Sequence, residues 1–159
     1  MTTMVWSSRE IVEHAGYHTI SATRGRQPFF ADPLNAEKVV DAIRFASESE
    51  RAFVLAYCVM TDHMHLLLVP RGSQTISSVM LDIKRYSAKA INERLGRRGP
   101  IWQQSFYDRM IRGDAHLSST IAYIEGNAVA ARLVKEPEEY RFSSASPEGF
   151  NDNERFWSE

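Results

Sequence analysis

The chain has 159 residues, 43% of them hydrophobic and 25% charged, with a formal net charge of −1. That length describes one globular domain able to bury a core without staples, and the single Cys58 excludes an intramolecular disulfide framework and any multi-cysteine zinc site. The opening MTTMVWSSRE lacks the basic-then-apolar order of a signal peptide, and no apolar run approaches the roughly 20 residues of a membrane helix, so a cytoplasmic protein without a membrane partner is expected.

In chain order, YHTISAT at residues 17–23 alternates and is β-branched, which predicts a first strand. RGRQPFF is a loop with two arginines. Pro33, after Asp32 as cap, opens a helix through about Ser47. Phe53 to Met60 and His63 to Val69 read as two strands of a hairpin. A long helix runs from about Thr75 to Leu95, with Ile76, Val79, Met80, Ile83, Ala90 and Ile91 at helical spacing, and GRRGP ends it. A fourth strand follows from about Phe106. Asp114 is a candidate cap for a last helix containing HLSSTIAYIEGNAVAARLV, and EPEEYRFSSASPEGF reads as an irregular tail.

The first six elements follow the ferredoxin-like split βαβ order. The expected fold is therefore α+β: an antiparallel four-stranded sheet, helices on one face, and an added C-terminal helix. One domain over residues 1–146 and a tail over 147–159 are expected. On the third strand, Met64, Leu66 and Leu68 share one face and suit the helix-packed side. His63, His65, Leu67 and Val69 share the other, which this architecture leaves open.

Two imidazoles side by side in an apolar strand need partners, because burying an unpaired polar group costs about 1–3 kcal/mol. They amount to half of a metal site, although paired strand histidines are more often satisfied by ordinary hydrogen bonds. The last helix adds weight. Leu117, Ile121, Ile124 and Ala128 form its core stripe, and Tyr123 falls about 130° from the stripe's centre. Asn127 follows four residues later on the same flank.

Charge is unevenly spread. From Lys84 to Arg112, eight basic residues oppose only Glu93 and Asp108, while the stretch from Lys135 to Glu159 is acidic. A local basic zone matters more for phosphate binding than the whole-chain sum, though a solvated helix face is an equally good account of it.

DHMHLLL resembles the His-hydrophobe-His (HUH) motif of the single-tyrosine, single-strand DNA transposases. YIEGNAVAARLV resembles their catalytic helix, and RGRQPFF, IWQQSFY and YRFSS match the REP-associated tyrosine transposases within the same broad family. The resemblance spans roughly residues 17–146. Three positions depart from the pattern: Thr61-Asp62 replaces the usual Pro-Asn, Ala128 replaces a Pro after the helical Asn, and Phe142 replaces a Trp.

The resemblance implies Tyr123 as nucleophile, His63 and His65 as metal ligands and Asn127 as a third ligand. It implies Mg²⁺ or Mn²⁺ as cofactor, a covalent 5′-phosphotyrosine intermediate and single-stranded DNA flanking a hairpin as substrate, with a homodimer as a possible form. Arg24, Arg26, Lys84, Arg85, Arg97 and Arg98 are candidate phosphate contacts. Trp102, Phe106 and Tyr107 are candidate stacking surfaces, with core packing the better expectation for Phe106. Two other readings remain: a different HUH nicking endonuclease, and a non-catalytic ferredoxin-like nucleic-acid-binding module. The second predicts aromatic pairs on the central strands, where this chain has histidines.

Overall fold

The computed structural model of the protein describes residues 15–158. Strand β1 spans Tyr17–Ala22, helix α1 Pro33–Glu48, strand β2 Ala52–Val59, strand β3 His63–Pro70 and helix α2 Ile76–Leu95. Strand β4 spans Tyr107–Met110, and helices α3, α4 and α5 span Asp114–Glu125, Asn127–Ala130 and Asn153–Ser158. The strands form one sheet in the order β2-β3-β1-β4, every adjacent pair antiparallel. This is the expected ferredoxin-like α+β arrangement.

Local chemistry sets the helix ends. Asp32 accepts a hydrogen bond from the Leu34 amide while Pro33 occupies the first turn of α1. Thr75 and Ser78 form a reciprocal capping box on α2, and Gly96, at φ +62°, closes it in the left-handed conformation. At α3 the expected cap shifts by one residue. Gly113 holds the cap position, and Asp114 is the first helical residue, where its charge meets the positive end of the helix.

One face of the sheet packs on α1 and α2. Val54, Tyr57, Val59, Met64, Leu66 and Leu68 meet Val39, Ile43, Val79, Met80, Ile83 and Ile91 in one buried cluster. The opposite face differs from the expected open surface. A second cluster joins Phe53, Leu55, Ala56, Cys58, Leu67 and Val69 to Leu117 and Ile124 of α3, Ala128 of α4 and Phe156 of α5. Helices thus cover this face over β2 and β3. Over β1 and β4 it stays open, with Tyr107 and Arg109 exposed beside the half-buried His18 and Ile20. The cause is legible in β2. Its eight residues are all buried, and a strand with no polar face needs cover on both sides.

The segment after α4 is more than an irregular tail. Val59 N–H donates to the Phe142 carbonyl and Ser144 N–H to the Tyr57 carbonyl, so residues 142–144 pair along the outer edge of β2. The buried Asp152 carboxylate accepts from the Ser47 hydroxyl at 2.7 Å and the Val54 amide at 2.9 Å. Phe156 is fully buried.

Candidate active site

Strand β3 delivers both histidines to one face. Their ring centres lie 5.2 Å apart with planes at 74°. His65 is only 3% exposed, directly opposite Ile20 of β1 and Cys58 of β2. A buried imidazole needs a polar partner, and β1 supplies one. His18 Nε2 lies 3.0 Å from His65 Nδ1, a hydrogen bond that one ring donates and the other accepts. The two rings also stack, with centres 5.3 Å apart. His63 is held in the same manner: its Nδ1–H donates to Asp62 Oδ1 at 2.8 Å.

Helix α3 brings the tyrosine. Leu117, Thr120 and Ile124 are buried, which turns Tyr123 off the packed stripe and leaves it 58% exposed. Its ring meets His65 edge-on at 5.6 Å between centres and His18 at 5.9 Å. Glu125, two residues on, accepts from the Ser144 hydroxyl at 2.6 Å and ties the end of α3 to the segment along β2. The tyrosine and the His65 and His18 rings it meets lie in one chain.

Burial pushes the His65 pKa down to about 3, with His63 and His18 adding to the effect. Burial also lowers that of His18, helped by His116 and Arg109. Both rings are therefore neutral at neutral pH, the form in which a ring nitrogen keeps a lone pair.

The donor set fits a divalent cation held at few points. His63 and His65 are each anchored through Nδ1, and among the described residues no contact engages either Nε2. Among the same residues no group of three His, Cys, Asp or Glu side chains is arranged to hold a metal. Two imidazole nitrogens with open positions suit Mg²⁺ or Mn²⁺ completed by water and phosphate oxygens, and do not suit a closed structural zinc. The Asn127 side chain donates to the Tyr123 carbonyl at 3.2 Å, and among the described contacts it does not reach either imidazole.

The basic candidates divide by place. Arg24 and Arg26 are exposed on the turn after β1, and Arg26 Nε pairs with Asp62 at 3.3 Å, which sets this turn beside His63. Lys84 is already engaged: its ammonium donates to the Gln103 carbonyl at 2.6 Å, and burial lowers its pKa. Arg85 stays exposed on the rim of a groove of about 450 Å³ floored by Leu81, Ala88, Ile101, Trp102 and Phe106. Arg97 donates to Asn92 and lies over Phe29, while Arg98 is exposed at the end of α2.

Trp102, expected as a stacking surface, belongs to the core instead. It is 5% exposed, packs on Phe30 and donates its indole N–H to the buried Ser87 hydroxyl at 3.0 Å. A strand-like bridge to Thr23 fixes its backbone, and the indole fills the space under α2. Tyr107, at 59% exposed on the histidine face over β1 and β4, offers an aromatic ring to solvent there.

Residues 11–127, most of the chain, match the protein family described as transposase, IS200 like. The chain belongs to the IS200-like transposase family. It is 26% identical over 100 residues to a Haemophilus influenzae protein named as a REP-associated tyrosine transposase. That match covers 57% of either chain, so it spans little more than half the length of the relative. Among solved structures, a REP-associated tyrosine transposase bound to a REP hairpin superposes with a TM-score of 0.70 at 22% identity, over 89% of this chain and 82% of the other. A protein of Deinococcus radiodurans R1 designated a transposase gives 0.53 at 24% identity, over 76% of this chain and 95% of the other. At those identities the structures establish a shared fold.

Within this IS200-like chain, sequence reasoning missed His18 and Asp62. YHTISAT carries its histidine in a strand that looks ordinary. What could have found it is its alternation: His18 and Ile20 share a face, and only pairing with β3 reveals which residues they meet. In the sequence Asp62 stands out only as a departure from the family pattern, yet its carboxylate sits on His63.

Proposed function

We propose that this chain cleaves and rejoins single-stranded DNA next to a hairpin through a covalent 5′-phosphotyrosine on Tyr123. The observation that carries the reading is the edge-on approach of an exposed helical tyrosine to the buried His65, which shares one face of an otherwise apolar strand with His63 and, like it, is anchored through Nδ1. The neighbour of like fold that is bound to a REP hairpin supports the hairpin as the substrate's mark.

Tyr123 Oη attacks the scissile phosphorus and loses its proton to solvent, the bond to the 3′ oxygen breaks, and that oxygen takes a proton from solvent to leave as a 3′-hydroxyl. His63 and His65 would hold a Mg²⁺ or Mn²⁺ ion, which when bound would supply positive charge to polarise the phosphate and offset its developing charge. Asn127, one turn beyond the tyrosine, donates through Nδ2 to the Tyr123 carbonyl, which leaves its Oδ1 as the atom that would serve as a further oxygen ligand. Because the phosphotyrosine keeps the phosphodiester's energy, attack by another 3′-hydroxyl restores the tyrosine and joins the strands without ATP.

The open part of the histidine face, over β1 and β4, is shallow and carries Tyr107 and Arg109. It suits a splayed single strand whose bases stack and whose phosphates meet arginine. Arg24 and Arg26 extend that path past His63, and Arg98 adds charge at the end of α2. A non-catalytic binding module fits less well, since the central strands present histidines where such modules present paired aromatics.

The test compares matched substrates: a labelled hairpin with single-stranded flanks and a blunt duplex of the same sequence, with Mn²⁺, over a salt series. The expected result is cleavage in the single-stranded flank only, with binding that weakens as salt rises. Equal cleavage of the duplex points to another nuclease class, and tight binding with no cleavage of either points to the binding module.

A further inference from the structure

We infer that His18 and Asp62 are positioning residues that fix the tautomers of the two motif histidines, so that both rings turn Nε2 toward the reaction. This rests on the proposed metal-assisted reading of the site and names how the chain prepares it.

The contacts of the two rings are alike. His63 and His65 lie on one strand, yet their rings are held by unrelated groups through the same atom. Asp62 Oδ1 lies 2.8 Å from His63 Nδ1, and His18 Nε2 lies 3.0 Å from His65 Nδ1. A carboxylate only accepts, so Nδ1 of His63 carries the proton and its Nε2 keeps the lone pair. His18 can do the same for His65 if its own proton sits on Nδ1, because its Nε2 then accepts.

Position makes each partner hard to replace by chance. His18 stands on β1, two residues along from the Ile20–His65 pairing and so on the same face, with its ring stacked on His65 and edge-on to Tyr123. It therefore contacts the nucleophile's ring and one imidazole at once. Asp62 is anchored from its other side by Arg26, at 3.3 Å, so its carboxylate is held toward His63. Thr23 secures the same turn: its amide and hydroxyl both donate to the Asp62 carbonyl, at 2.9 and 3.2 Å.

The consequence is chemical. Free imidazole in water favours the proton on Nε2, which would block the nitrogen a cation needs. A partner that accepts from Nδ1–H reverses the preference, orients the ring and raises the basicity of Nε2. Loss of such outer partners typically weakens metal affinity about 10- to 100-fold.

The experiment reads tautomers and metal separately on the full chain. Long-range ¹H–¹⁵N spectra of the metal-free protein report which nitrogen of each ring is protonated. Both His63 and His65 are expected as Nδ1–H. In His18→Ala only His65 should change its tautomer, and in Asp62→Ala only His63. Mn²⁺ titration by electron paramagnetic resonance should show each variant weakened about 10- to 100-fold, with the melting temperature held to within a few degrees. His18→Gln and Asp62→Asn, which keep an acceptor oxygen, should recover most of the affinity. Nδ1 left unprotonated in both wild-type rings overturns the inference, as does unchanged Mn²⁺ affinity in both alanine variants. Electron spin echo spectra that count three coordinated imidazoles also overturn it, by making His18 a ligand. A wild type that binds no Mn²⁺ sinks the metal-assisted reading instead, and the tautomer spectra still judge the positioning.

Discussion

Tyr123 stands edge-on to His65, ring centres 5.6 Å apart and planes at 80°, although 58 residues separate them in sequence. The contact joins the open end of a helix to a buried strand. It exists because α3 buries Leu117 and Ile124 against β2 and β3, and Tyr123 follows wherever that stripe seats. Packing thus sets the distance between the tyrosine and the imidazole.

The first expectation concerns the histidines. His63→Ala and His65→Ala should each abolish strand cleavage, and excess EDTA should do so in the wild type until Mn²⁺ or Mg²⁺ is restored. The two variants should differ in stability. His63 is partly exposed and its loss should be mild, whereas His65→Ala empties a buried site and strands the His18 ring. Thermal melts beside the cleavage gel check both points, and full activity in EDTA would contradict them.

A pH effect follows from His65. In the unfolded chain its imidazole takes a proton below its ordinary value of 6.5, while in the fold it resists protonation down to about 3. Between those values the unfolded state holds more protons, so stability is complete above 6.5 and is lost as pH falls toward 3. His18 is shifted in the same direction. The denaturation midpoint of the metal-free protein should fall between pH 7.5 and 5, and should fall less in His65→Leu. A midpoint flat over that interval would contradict the burial argument.

Trp102 and Arg98 should separate folding from binding. Trp102→Ala removes a buried ring and its hydrogen bond to Ser87, and should cost about 3–5 kcal/mol of stability. Arg98→Glu in the exposed loop after α2 should leave the melt within about 0.5 kcal/mol and weaken single-strand binding, most at low salt. Denaturant curves and fluorescence anisotropy check the pair. Arg98→Glu with unchanged affinity removes that surface from the DNA path.

Asp152 tests the closing segment. Asp152→Ala leaves the Ser47 hydroxyl and the Val54 amide without their buried acceptor, a loss of about 2–3 kcal/mol. A midpoint unchanged from wild type would contradict a structural role for the Asp152 carboxylate.

The fold was legible because its cues are local. Alternation in β1, the cap and proline at Asp32–Pro33, and the stripe of α2 each specify one element, and the split βαβ order then arranges them. His63, His65 and Tyr123 were legible for a related reason, since strand and helix periods place each one on a face. What local periods do not carry is which faces meet. The cover on the second sheet face, the burial of Trp102 and the partnership of His18 with His65 all depend on contacts between residues far apart in sequence. Asp152 was hidden in the same way: it lies in an irregular stretch, and its value comes from Ser47 and Val54, about a hundred positions earlier.

The central claim is tested most directly by mapping a covalent adduct. The full chain is incubated with Mn²⁺ and a labelled DNA hairpin carrying single-stranded flanks, resolved on a denaturing gel, digested and read by mass spectrometry. The account predicts a DNA-linked band in the wild type with the nucleotide mass on Tyr123. It predicts no band in Tyr123→Phe, whose fold should be intact because the lost hydroxyl is on an exposed side chain. An adduct that persists in Tyr123→Phe, or one mapped to Tyr86, Tyr107 or Tyr140, would contradict it.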